Sequence, residues 1–111
     1  MKVKHLIAKL INCKIGEELF SDEKFIGEIC DKIVEKLNMK FIDKLFFKFK
    51  PHGLSMIYLL AESHIAIHTW PEYKFVDVEI VSCKKDSNVF DGLSICVEYF
   101  KPEKVESCYW E

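Results

Sequence analysis

Nothing in this chain of 111 residues supplies a membrane span, a zinc knuckle or a disulfide framework. Its apolar runs stop well short of the roughly 20 residues that a bilayer-crossing helix needs. Its five cysteines are an odd number and include no C-x-x-C pair. That pattern argues against a stapled scaffold and a structural metal, and points to a reducing, cytoplasmic setting. The opening residues, MKVKHLIAKLINC, carry charges throughout and reach no small-residue cleavage motif, so no secretory leader is expected. Charge of neither sign dominates: the formal net value is −2, which excludes a basic nucleic-acid binder. An apolar content of 50% excludes disorder. Repeats, low-complexity tracts and linkers are also missing, and the length suits one domain, residues 1–111, with one core.

What is present is a regular alternation of strand and helix patterns. Residues 3–12 are apolar enough for a strand. From Ser21, the positions Phe25, Ile26, Ile29, Cys30, Ile33, Val34 and Leu37 step by one, three and four, which predicts one face of a helix. Ser21 is its expected cap, Asp22 and Glu23 favour its positive end, and Asn38 is the expected stop. LFFKFK (45–50) predicts a strand whose phenylalanines belong to the core, and Pro51-His52-Gly53 a turn. Strands are expected over 54–61, 64–70 and 74–82. Val89, Phe90, Leu93, Cys96, Val97 and Phe100 predict a second helix ending at Pro102, with VESCYW as a last strand. Cys30 and Cys96 read as apolar helix-face positions. The order β-α-β-β-β-β-α-β predicts an α+β two-layer sandwich, a mainly antiparallel sheet with two helices on one face.

Alternation assigns the two sheet faces. Ile65, Ile67 and Thr69 point one way, and His64, Ala66, His68 and Trp70 the other. Val76, Val78 and Ile80 likewise oppose Tyr73, Phe75, Asp77, Glu79 and Cys83. With the aliphatic sides against the helices, the other face holds aromatic and reactive residues too apolar to be merely solvated. A homodimer packed face to face is the arrangement this predicts.

The stretch LAESHIAIHTWPE concentrates reactive groups: Glu62, Ser63, His64, His68, Trp70 and Glu72. Singly, each has an ordinary structural reading, a hydrogen-bonded strand serine or histidine above all, and Cys83 that of a small buried hydrophobe. His64 and His68 have the i, i+4 spacing that chelates a metal on a helix. On a strand those four residues span about 13 Å, so no metal is expected there. A serine hydrolase is disfavoured because the G-x-S-x-G elbow is absent.

The string AESHIAIHTWPE, the upstream Phe-x-Pro-x-Gly-x-Ser from Phe49 to Ser55, the opening KHLIAKLINC, FKPEKVE, and a cysteine eleven residues after Glu72 together resemble the proenzymes of the short prokaryotic S-adenosylmethionine decarboxylases. The resemblance covers nearly the whole chain. Removing CO₂ from an amino acid leaves a carbanion that needs an electron sink, and this family makes one, a pyruvoyl group, from an internal serine. The resemblance implies that Ser63 Oγ attacks the Glu62 carbonyl carbon, that the resulting ester eliminates, and that the chain splits into 1–62 and 63–111. The new residue-63 end carries the pyruvoyl cofactor. It further implies that Ser55 assists the acyl shift and His68 is the base of the elimination. In turnover the substrate's amine forms a Schiff base with the pyruvoyl carbonyl, and Cys83 returns a proton after CO₂ leaves.

Phe49, Trp70 and Glu72 match motif positions that line the pocket, aromatic rings suiting adenine or sulfonium and the carboxylate suiting ribose hydroxyls. The implied product is the aminopropyl donor for spermidine synthesis. Four positions depart from the family pattern: Phe47 for His, Met56 for Gly, Glu79 for Asp and Lys84 for Gly. Two alternatives stay open, a pyruvoyl decarboxylase of the same fold acting on arginine or ornithine, and a non-catalytic relative that binds a partner through the same sheet face.

Overall fold

The computed structural model describes residues 1–111. Six strands form one sheet in the order β2-β3-β4-β5-β1-β6, where β1 is Lys4–Cys13, β2 Phe41–Lys48, β3 Leu54–Leu60, β4 Ser63–Trp70, β5 Phe75–Ser82 and β6 Pro102–Trp110. Every neighbouring pair is antiparallel. Two helices, α1 (Glu23–Lys36) and α2 (Val89–Phe100), cover one face. The α+β two-layer sandwich is thus the observed architecture, and each strand and helix expected from the sequence is found. No helix is long and apolar enough to cross a membrane.

The apolar stripe of α1 does what its spacing predicts: Ile26, Ile29, Cys30 and Ile33 are buried. Burying each aliphatic side chain stabilises the fold by about 1.5–3 kcal/mol. The stop is also as expected, since Asn38 takes the left-handed conformation at φ 52° that ends a helix. The cap differs. Asp22, not Ser21, accepts from the Lys24 and Phe25 amides. Ser21 ends a short 3₁₀ turn, Glu17–Ser21, and its Oγ accepts from the Gly53 amide at 2.7 Å. It ties the helix entry to the β2–β3 turn instead. Gly53 sits at φ 105°, a conformation that a side chain would strain. At Gly92 of α2 the constraint is space: an added Cβ would lie 2.7 Å from Ile80 Cδ1 on β5.

The buried face is built from alternate strand residues: Leu6, Ala8 and Leu10 of β1, Leu54, Met56, Tyr58 and Leu60 of β3, Ile65 and Ile67 of β4, Val76, Val78 and Ile80 of β5. Thr69 is the polar member of this set. Its hydroxyl donates to the Phe20 carbonyl at 2.6 Å, while its oxygen accepts from the Leu54 amide at 2.9 Å. Tyr58 is wholly buried and its hydroxyl donates to Asp31 at 2.6 Å; burial and that bond push the phenol well above its ordinary range.

One expectation for the core fails. Phe46, Phe47 and Phe49 are 38%, 63% and 49% exposed. The physical reason is position in the sheet: β2 is an edge strand beyond the cover of the helices. Its start is also earlier than the 45–50 run suggested, at Phe41, with a register shift between Phe41 and Asp43.

The uncovered face follows from the strand registers as transverse rows. One row runs Phe47, Ser55, His68, Asp77, Lys9; the next Leu45, Ile57, Ala66, Glu79, Ile7; a third Leu59, His64, Val81, His5. Leu45, Ile57 and Leu59 are 73%, 45% and 51% exposed, an apolar patch on the open side.

Candidate active site

Strand β4 carries candidate residues at both of its ends. At the C-terminal end, the β3–β4 register sets Ser55 directly opposite His68, and Ser55 Oγ lies 2.6 Å from His68 Nδ1. This short contact orients the imidazole and leaves Nε2 for other work. Trp70 follows two residues on, its ring 6.3 Å from that of His68 and 5.4 Å from Phe75. A cavity of about 430 Å³ opens here, lined by Phe49, Pro51, His52, Ser55, His68, Trp70 and Glu72 among others. The three expected pocket residues, Phe49, Trp70 and Glu72, therefore share one cavity with Ser55 and His68. Phe47 stacks edge-on against Phe49 at 5.0 Å and extends the aromatic wall.

His52, which no sequence signal had marked beyond its turn, contributes its ring to the same cavity; its Nε2 is 3.4 Å from Glu72 Oε1. A larger groove beside Glu17, Glu18, Asp22 and Glu23 shares Pro51 and His52 with the cavity but neither Phe49 nor Trp70.

Asp77 is paired with His68 on one side and Lys9 on the other. Partial burial raises its carboxyl above the usual range, and the charges of His68 and Lys9 oppose that rise. The nearby Glu79 carboxylate, a like charge, adds to the rise.

The N-terminal end of β4 is a different environment. Ala61 and Glu62 form a two-residue hairpin between the paired Leu60 and Ser63. Glu62 takes φ 62°, a left-handed conformation uncommon for a residue with a side chain. Ser63 is buried, 7% exposed, and its hydroxyl makes no hydrogen bond within the chain. Cys83, just past β5, donates its thiol to the Glu62 carbonyl at 3.1 Å and lies 3.7 Å from that residue's own carboxylate. The thiol is half-exposed, unlike Cys13, Cys30 and Cys96, which are buried. Burial pushes the Cys13 and Cys96 thiols up to about 12.

The structure thus brings together Glu62, Ser63 and Cys83, and separately Ser55, His68, Phe49, Trp70 and Glu72, but does not bring the two groups together. Five residues along a strand are about 17 Å, and Ser63 and His68 are five apart on β4. The two histidines are partnered apart as well, His64 with Glu79 at 3.3 Å and His68 with Ser55. Of the positions that depart from the expected pattern, Met56 faces the helices and is 1% exposed, so it is core rather than pocket. Phe47 and Glu79 face the open side. Cys83 lies one residue past the end of β5, so strand alternation does not fix its direction, and its seat on the Glu62 carbonyl was not legible in the sequence.

Comparison with known proteins fits this geometry. The family model described as S-adenosylmethionine decarboxylase matches residues 4–110. An S-adenosylmethionine decarboxylase proenzyme of Archaeoglobus fulgidus is 39% identical over 100 residues, covering 90% of this chain and 88% of that one. Another from Hydrogenobaculum sp. is 32% identical over 102 residues, covering 92% and 75%. Among solved structures, the adenosylmethionine decarboxylase of Aquifex aeolicus superposes with a TM-score of 0.88 at 26% identity, over 98% of this chain and 88% of that one. Family model, relatives and fold agree, and the chain belongs to the S-adenosylmethionine decarboxylase family.

Proposed function

We propose that this protein decarboxylates S-adenosylmethionine, yielding an aminopropyl donor for spermidine synthesis, after splitting itself between Glu62 and Ser63 into a 1–62 chain and a 63–111 chain. The observation that carries the reading is the hairpin tip. A left-handed Glu62 presents its carbonyl to the Cys83 thiol, and next to it stands a serine with an unengaged hydroxyl. A thiol hydrogen bond polarises that carbonyl toward attack by Ser63 Oγ and steadies the negative oxygen that forms. The peptide C–N bond breaks as the Glu62–Ser63 ester forms. Removal of the Ser63 α-proton then expels the Glu62 carboxylate and leaves residue 63 dehydrated at the head of the second chain. Tautomerisation and hydrolysis release ammonia and leave a pyruvoyl cap.

That α-proton needs a base, for which the reading takes His68, its Nδ1 fixed by Ser55. The spacing along β4 keeps a molecule's own His68 from its own Ser63, so the reading includes a homodimer with the open faces together. Two copies related by a twofold axis lay the His68 end of one over the Ser63 end of the other. The exposed Leu45, Ile57 and Leu59 patch supplies apolar surface for that contact.

The pyruvoyl group supplies the electron sink for the pair released with CO₂. The chain's own residues do the rest. Phe49 and Trp70 offer faces for adenine and the sulfonium, Glu72 offers a carboxylate for ribose hydroxyls, and Cys83 holds the proton returned to the substrate carbon. Arginine and ornithine have little use for so aromatic a cavity.

The test is the intact mass of the purified protein and of Ser63→Ala, with CO₂ release from S-adenosylmethionine, arginine and ornithine supplied separately. Two chains in the first, one in the second, and preferential release from S-adenosylmethionine are expected. Splitting of the Ser63→Ala chain at this bond would overturn the pyruvoyl reading.

A further inference from the structure

The loop after β5 carries Cys83 and then runs through Lys84, Lys85, Asp86 and Ser87 to the Asn88 cap of α2. A loop this polar has no apolar anchor of its own, yet its first residue must keep a thiol within about 3 Å of one carbonyl oxygen to act on it. Something must hold it. Lys4, the first residue of β1, is paired with Ser82 in the sheet. Its ammonium donates to the main-chain carbonyls of Lys84 and Lys85, each at 3.1 Å, and to that of Ser87. Three carbonyl acceptors use all three of its protons. No carboxylate lies within salt-bridge reach of it.

A second set of bonds closes the loop from inside. Ser82 Oγ and Ser87 Oγ are 2.6 Å apart and buried, Ser87 Oγ donates to the Lys84 carbonyl at 2.9 Å, and the Lys84 amide donates to Ser82 Oγ at 3.1 Å. Lys4 and Cys83 also line one cavity with Met1, Lys2 and Lys85.

We propose that Lys4 is a positioning residue for Cys83: with Ser82 and Ser87 it clamps the 84–87 loop so that the thiol stays seated on the Glu62 carbonyl. This rests on the role given to Cys83 above, but the clamp has a readout that does not. In the uncut Ser63→Ala chain, alkylation with iodoacetamide followed by peptide mapping reports each thiol separately. Cys108, which is exposed, serves as the internal reference, and the buried Cys13, Cys30 and Cys96 report that the fold has survived.

Adding Lys4→Met should raise the Cys83 rate relative to Cys108 about tenfold, the change in a local opening equilibrium expected when charge-assisted hydrogen bonds are lost. Lys4→Arg should restore protection. Ser87→Ala, which breaks the inner bonds without touching Lys4, should move the ratio the same way and stands in if Lys4→Met exposes the buried thiols. In the processed protein, Lys4→Met should lower kcat while KM stays within about twofold, as for a group that acts on proton return rather than on substrate binding. A Cys83 to Cys108 ratio unchanged in both Lys4→Met and Ser87→Ala overturns the clamp. A wild-type chain that neither splits nor releases CO₂ overturns the functional reading and leaves the thiol result to stand by itself.

Discussion

The two ends of β4 are built on opposite principles. The Ser63 end is a tight hairpin in which an uncommon backbone conformation and a thiol bear on one carbonyl, with no imidazole bonded to the serine. The His68 end is relaxed strand, with the imidazole oriented by Ser55 and an aromatic cavity beside it, but no unusual peptide. Under the function proposed above, one end offers the bond to be broken and the other the base that helps break it. Strand geometry holds the two apart within a molecule, and the proposed twofold pairing would unite them.

The largest effects should come from disabling either end. Ser63→Ala and His68→Ala should each abolish the split, read by intact mass, because one removes the nucleophile and the other the base. Producing both variants in the same cells sharpens the comparison. If the ends belong to different molecules, the His68→Ala chain should be cut when its partner supplies His68, and only in mixed dimers. No cleavage in verified mixed dimers would return both ends to one molecule.

Cys83→Ala should come next. Decarboxylation should fall by about 10²–10³-fold, the usual worth of a positioned proton donor, measured as CO₂ release per processed chain. The contact with the Glu62 carbonyl adds a slower split, about tenfold for loss of a weak oxyanion donor. This refines the simpler expectation that Cys83 serves turnover alone.

At the His68 end, Phe49→Ala or Trp70→Ala should raise KM by about 5–150-fold, since stacking on a base is worth about 1–3 kcal/mol, with the chain still split.

How much of this was visible in the sequence depended on the scale of the relation. Helix faces were legible because Ile26, Ile29, Cys30 and Ile33 obey a period that needs only local geometry. The face shared by His68 and Trp70 was legible for the same reason. The exposed Phe46, Phe47 and Phe49 were misread as core because edge position is a property of strand order, not of the run itself. Asp22 displaced Ser21 as cap because Ser21 is drawn to Gly53, a partner 32 residues away. The candidate site residues were proposed from their motif, and the spacing of Ser63 and His68 along one strand was legible with it; that Ser55 stands opposite His68 required the register of β3 on β4.

The smallest predicted effect concerns Asp77, in the row that joins His68 to Lys9. Its carboxyl is raised above the unfolded value, so between those two values the folded chain binds the extra proton. Folding stability from this group is therefore lost as pH rises through the raised value. Asp77→Asn should flatten that part of the curve in urea unfolding followed from pH 3 to 7, and an unchanged slope would contradict the shift.

Strand order also decides what a severed molecule would be. Residues 1–62 hold β1, β2 and β3, and residues 63–111 hold β4, β5 and β6. In the sheet these do not form two separate halves: β2-β3 from the first piece is followed by β4-β5 from the second, then β1 from the first and β6 from the second. Three of the five ladders, β3 with β4, β5 with β1 and β1 with β6, join one piece to the other. The pieces are laced through each other, so cutting the chain at one hairpin removes a covalent link without offering either fragment a way to leave.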